Sequence, residues 1–337
     1  MIRHLPLVTL LTLTLTAPSA VGQPAAKPFE AIDRHALKAP PEAEKSLGAL
    51  AAYLVKPAQD DKEKARAIYR WVTDRIAYDA DAFFAKKYPD YDPEYVLKER
   101  KAVCAGYAVL FNELCKEAGI KATIVLGRTK ESADADADLP ANERHAWNAI
   151  RIDDEWHLVD STWGAGGVNV KDKKFFKRFR DFYFMPPPEA LVFTHFPRKA
   201  NCQLLTEPIS EKEFDRQPNA SARYFEVGLT PAVIRKASEV EGFPGLVKLY
   251  EAPGTLTLKE VPLARTLKAG EKYVFRLEAK GFSAVIVTSG GRSMALARKG
   301  KLFEGMIIAP RGTIEVKGVV GDGRQVVAWG LLEYEGE

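Results

Sequence analysis

Val103-Cys104-Ala105-Gly106-Tyr107-Ala108-Val109-Leu110-Phe111-Asn112-Glu113-Leu114-Cys115-Lys116-Glu117-Ala118-Gly119 is the stretch that decides the fold. Tyr107, Ala108, Phe111, Leu114, Cys115 and Ala118 trace one face of an amphipathic helix, and Gly119 supplies its C-terminal stop before Ile120. Cys104 therefore falls at the helix N-terminus, where free backbone N–H groups and the helix dipole favour the negative charge of a thiolate. Cys115 lies on the same side further along the helix but points into the core.

Downstream, residues 121–126 have strand character, and two alternating runs, 146–152 and 156–161, flank Asp153-Asp154 as a two-residue hairpin turn. That turn sets Ile152 opposite Glu155 and, counted back, His145 opposite Thr162. Asp160 then shares a face with His145 and lies diagonal to it, about 7–8 Å away between backbone positions, a gap an imidazole and a carboxylate can close. His157 has the opposite parity and is excluded. A catalytic thiol needs a base beside it and a third group to fix the base's tautomer, so Cys104, His145 and Asp160 form the candidate catalytic triad.

Upstream, Ala65, Ile68, Tyr69, Val72 and Ile76 mark another buried helical stripe, and Asp92-Pro93 opens a short helix running towards Arg100. Helices followed by an antiparallel sheet give an α+β domain over residues 28–205. Residues 206–230, polar and carrying Pro208, Pro218 and Asn219, read as a linker. Beyond it, alternating runs at 247–250, 255–261, 272–277, 284–288, 306–308, 313–319 and 325–332, broken by Gly and Pro turns, predict a small all-β sandwich of immunoglobulin-like type over 231–337.

A chain of 337 residues with 46% hydrophobic and 28% charged residues reads as globular, and its length favours two domains. A net charge of +4 is too small and too dispersed to predict nucleic-acid binding. Arg3 and His4, the apolar run 5–15 and the small residues Ala17, Ser19, Ala20 and Gly22 have the form of a cleaved signal peptide over residues 1–22, predicting export to a periplasmic or extracellular location. No later stretch is apolar enough to span a bilayer. Three cysteines leave at least one thiol unpaired in such a compartment. Cys115 and Cys202 are expected as two buried thiols, a Cys115–Cys202 disulfide being the alternative that also leaves Cys104 free.

Three motifs, Val103-Cys104-Ala105-Gly106-Tyr107-Ala108, His145-Ala146-Trp147-Asn148 and Trp156-His157-Leu158-Val159-Asp160-Ser161-Thr162-Trp163-Gly164, closely resemble the transglutaminase-like superfamily in composition and order. Ile76-Ala77-Tyr78-Asp79 resembles that family's lead-in, while Asp181-Phe182-Tyr183-Phe184 and His195-Phe196-Pro197 resemble its kyphoscoliosis-peptidase-like branch. The resemblance implies a papain-like core, with the helix bearing the nucleophile packed on an antiparallel sheet. It also implies acyl transfer on protein or peptide amides through a thioester: Cys104 as nucleophile, His145 as general base and acid, Asp160 as orienter. The Cys104 N–H would serve as oxyanion donor, with Tyr78, Trp147 and Trp163 as supporting site residues. Peptidase, amidase and transglutaminase chemistry all fit, the alternative being a catalytically silent scaffold of the same fold. Where this branch usually places Trp before Gln-Leu-Leu, this chain has Cys202.

No cofactor or metal is expected. Asp134, Asp136 and Asp138 imitate half a calcium loop, but Leu139 replaces the turn glycine and no glutamate closes the series. The basic and aromatic run 171–180 reads as a helix packing Phe175, Phe176 and Phe179 inward beside the cleft. His195 reads as a structural residue satisfied by backbone. The expected partner is a protein or peptide substrate, with cell-surface polymer or a partner protein as a candidate ligand of the C-terminal domain.

Overall fold

Asp60 opens the helix Asp61–Arg75 by accepting the Glu63 N–H on its side chain, and Ala65, Ile68, Tyr69 and Val72 turn one fully buried face inward. The computed structural model describes residues 28–130, 144–321 and 326–337. The signal-like segment 1–22 and the acidic run Asp134, Asp136, Asp138 lie outside the described residues. Asp92 caps the helix Pro93–Glu99 through the Tyr95 N–H, with Pro93 at its first position. Both helices pack around the helix Cys104–Glu117, whose buried residues Tyr107, Leu110, Phe111, Leu114 and Cys115 join the same core. A Cβ at Gly106 would sit 2.6 Å from the Ala102 Cβ and 3.0 Å from the Tyr91 Cβ, so glycine lets the first turn approach that closely.

This helix lies on a four-stranded antiparallel sheet ordered Glu155–Val159, His145–Ile152, Ala122–Thr129, His195–Pro197. The hairpin register is the expected one, Ile152 opposite Glu155 and Ala149 opposite Leu158. Asp153 and Asp154 take φ of 49° and 66°, the paired left-handed conformation that a two-residue turn needs to match the strand twist. One detail of the register differs from expectation. The strand ends at Val159, and Asp160 caps a short helix Ser161–Ala165, so Thr162 does not pair with His145.

The C-terminal strands form two sheets around one core of Phe275, Leu277, Val285, Val287, Phe303, Ile314, Val316 and Tyr334. One sheet runs Thr255–Glu260, Lys272–Lys280, Leu302–Ile308, Ala297–Lys299. The other is led by the long hairpin Gly312–Gly321 and Val326–Gly336, flanked by Ala284–Ser289 and Arg292–Ala295. Among the described residues no helix is long and apolar enough to cross a membrane.

Two further expectations are corrected. The stretch read as a linker, 206–230, is folded: it holds the helices Glu211–Arg216 and Ala222–Glu226 and buries Phe214, Ala220, Ala222 and Val227. Polar composition concealed this because each helix is short and contributes only isolated apolar side chains. Phe225 stacks on Phe182 at 5.4 Å, and Tyr224 donates to the Val247 carbonyl, so the segment joins both halves of the chain. The run 171–180 is not a helix but the second half of a hairpin, Gly166–Asn169 with Lys174–Lys177. Strand alternation therefore sends Phe175 towards the core and leaves Phe176 half exposed, where a helix would have buried both.

Candidate active site

Cys104 is the first residue of its helix, and the preceding Val103 has no side chain able to cap it. The first-turn N–H groups therefore keep their pull on an anion at the sulfur. The strand His145–Ile152 brings His145 alongside, and the chain leaving the adjacent strand brings Asp160 beneath it. His145 Nε2 meets Asp160 Oδ2 at 2.7 Å, while the Cys104 side chain is hydrogen-bonded to His145, which leaves Nδ1 as the nitrogen facing sulfur. All three residues expected from the sequence thus meet in one chain of contacts.

Burial works against charge on both members of the pair, yet each holds it. Desolvation would lower His145, but the Asp160 charge and hydrogen bond, followed by those of Cys104, outweigh it and push the imidazole up to about 10. Desolvation would raise Asp160, but His145, with smaller contributions from His195, holds its carboxyl well below the usual carboxylate range. Asp160 Oδ1 accepts the Trp163 N–H at 2.9 Å, so the carboxylate that faces His145 also caps the next helix.

The site opens into a cleft of roughly 800 Å³ whose walls include Cys104, His145, Tyr78, Trp163, Phe83 and Phe176. Of the expected supporting residues, Tyr78 and Trp163 line this cleft. Trp147 is buried behind it, stacked 5.7 Å from His145, and its indole N–H has no partner among the described residues.

Several contributors were not anticipated. The hairpin Gly166–Asn169 with Lys174–Lys177 forms one wall, and Ser221 and Ala222, from the segment read as a linker, reach the cleft as well. Arg178 and Arg180 line it too, and both pair with Glu251 near the start of the sandwich, at 2.9 and 2.6 Å. His195 is satisfied by side chains rather than backbone: Nε2 lies 3.0 Å from Asp160 Oδ2 and Nδ1 2.8 Å from Thr194 Oγ1. In the strand His195–Pro197 the side chains of His195 and Pro197 are buried and that of Phe196 only partly so. Cys115 is a buried free thiol as expected, raised by burial, whereas Cys202, expected to be buried, is free and only half-buried, its thiol 3.7 Å from Asn201 Oδ1.

His145, Asp160 and His195 also form a compact group of metal-capable atoms. Their N···O separations of 2.7 and 3.0 Å are hydrogen-bond distances. Ligands about 2.0–2.1 Å from a tetrahedral ion would stand further apart, and both nitrogens need their protons for the carboxylate.

Residues 48–161 match the transglutaminase-like superfamily, and the chain carries a domain of that superfamily. Among its relatives, kyphoscoliosis peptidase of Mus musculus is 34% identical over 205 residues, covering 60% of this chain and 31% of that protein. Hillarin of Drosophila melanogaster is 30% identical over 218 residues, covering 60% of this chain and 26% of that protein. The chain thus spans about a third or less of the length of these relatives.

Proposed function

We propose that the protein is a cysteine-dependent acyl-transfer enzyme acting on protein or peptide amides. The observation that carries this reading is His145, buried between the Cys104 sulfur and the Asp160 carboxylate at one wall of an open cleft. Cys104 sulfur attacks the amide carbonyl, forming a C–S bond, with the Cys104 N–H receiving the developing oxyanion. His145 gives its proton to the nitrogen as the C–N bond breaks, and amine or ammonia leaves. Water, or a second amine, then attacks the thioester while His145 takes its proton, and sulfur departs. Asp160 keeps the imidazole in the tautomer that presents Nδ1 to sulfur.

The cleft is open and largely apolar in its lining, which suits an extended peptide better than a small charged metabolite. Hydrolysis is the favoured outcome, since water is always present and an amine acceptor must be bound. The signal-like N-terminus supports export, and the sandwich supports docking to cell-surface polymer or a partner protein.

The test is turnover of pooled glutamine-containing peptides, followed as ammonia release, amine incorporation and backbone cleavage, with Cys104→Ala as control. Turnover by the wild type that a folded Cys104→Ala protein loses supports the reading. A wild type inert on broad pools would favour the scaffold alternative, and full activity in Cys104→Ala would exclude the mechanism.

A further inference from the structure

His195 and His145 reach the same oxygen of Asp160, at 3.0 and 2.7 Å, from different strands of one sheet. An ionised carboxylate only accepts hydrogen bonds, so each imidazole must present Nε2–H to it. For His195 this leaves Nδ1 as an acceptor, and the Thr194 hydroxyl, 2.8 Å from Nδ1 and 3.2 Å from the Leu191 carbonyl, gives its single proton to the nearer nitrogen. The ring is fully enclosed, with Trp163, Trp147 and Tyr183 at centroid distances of 4.6, 5.2 and 6.1 Å. Tautomer and orientation of His195 are thus both fixed by its surroundings, as a rigid support requires.

Resting on the acyl-transfer reading, we infer that His195 is a positioning residue for the triad, a second N–H donor that pins Asp160 Oδ2 where His145 needs it. The carboxylate is then held at three points: the Trp163 N–H on Oδ1, and the two imidazoles on Oδ2. Without His195, Oδ2 would follow His145 whenever that ring moved during proton transfer, and the His145 proton would be drawn more strongly towards the carboxylate. Burial, with the neighbouring His145 charge, holds His195 neutral against the opposing pull of Asp160. A neutral donor orients the anion without competing for its charge. Among the described residues Asp160 also acts on the Tyr69 and Tyr107 phenols, which burial keeps protonated, so neither competes for that charge.

The experiment measures Cys104 alkylation by iodoacetamide against pH in the full chain, site-mapped by mass spectrometry, for wild type, His195→Phe and His195→Gln. We expect His195→Phe to slow Cys104 alkylation about tenfold or more at mildly acidic pH, as small misplacements of a catalytic group do. Gln, whose amide N–H can reach Oδ2, should restore most of the rate. A folded His195→Phe protein with the wild-type profile, or Gln rescuing no better than Phe, would overturn the role of His195. A wild type in which Cys104 shows no reactivity beyond an ordinary thiol would instead overturn the acyl-transfer reading on which it rests. Should His195→Phe fail to fold, ¹⁵N-histidine NMR of the wild type decides: His195 protonated on Nε2 with bare Nδ1 supports the assignment, and bare Nε2 overturns it.

Discussion

Replacing Asp160 by Asn keeps the side chain's shape and removes its charge. The carboxylate receives the Trp163 N–H at 2.9 Å on Oδ1, and His145 and His195 at 2.7 and 3.0 Å on Oδ2. An amide has one accepting oxygen, so one side must be wrong. With its oxygen towards the imidazoles, its NH₂ faces the Trp163 N–H. With NH₂ towards the imidazoles, both rings must change tautomer, and His145 then aims a proton at Cys104. A buried donor left without an acceptor costs about 1–3 kcal/mol. Removing one member of a buried ion pair costs about 3–5 kcal/mol, and these overlap rather than add. We therefore expect a loss of stability of about 3–5 kcal/mol. His145 loses the charge that offsets its burial, so it becomes neutral at neutral pH. Reactivity of Cys104 should fall about a hundredfold or more, the scale at which triads with a wrong tautomer lose rate. Urea unfolding gives the first quantity, and iodoacetamide alkylation against pH the second. A folded Asp160→Asn protein with wild-type stability and a wild-type alkylation profile would mean that the Asp160 charge neither holds His145 nor activates Cys104.

Cys115→Ala should destabilise the chain by about 1 kcal/mol or somewhat more through a small cavity in a fully buried position, while Cys104 labelling is unchanged. Urea unfolding and site-mapped labelling check the two halves. Gly106→Ala forces a methyl against Ala102 and Tyr91 and should cost about 1–3 kcal/mol, slowing Cys104 labelling because the shifted turn carries the sulfur with it. Stability should also follow pH with a definite sign. His145 is raised when folded, so its contribution is complete below its ordinary 6.5 and fades as pH climbs through about 10. Asp160 is depressed, so its contribution is complete above its ordinary 3.8 and is lost as pH falls towards its folded value. The pair therefore stabilises most between 3.8 and 6.5, and Asp160→Asn should flatten the alkaline decline seen in wild-type urea curves.

The helix of Cys104 and the hairpin of His145 were legible because each follows local rules: a 3.6-residue apolar period, and a two-residue turn that fixes strand parity. Parity alone brought His145 and Asp160 to one face, even though Asp160 proved to be a helix cap and not a strand residue. The short helices of 206–230 and the hairpin 166–177 were not legible, since four to six residues carry too little period to separate helix from strand. His195 escaped for a different reason. Its partner Asp160 is 35 positions away, and only the closing of the strand His195–Pro197 onto Ala122–Thr129 brings them together. Likewise the Glu251 ion pairs with Arg178 and Arg180 depend on where the sandwich rests, which no local pattern encodes.

Whether Cys104 is a nucleophile set up by His145 is decided by a thiol-reactive activity probe applied at mildly acidic pH with the labelled site mapped by mass spectrometry. Adducts should form on Cys104 in preference to Cys115 and Cys202, and should be lost when His145 is replaced by Ala in a folded chain. Equal labelling of Cys104 and the half-exposed Cys202, unaltered by His145→Ala, would mean that His145 does not set Cys104 up as a nucleophile.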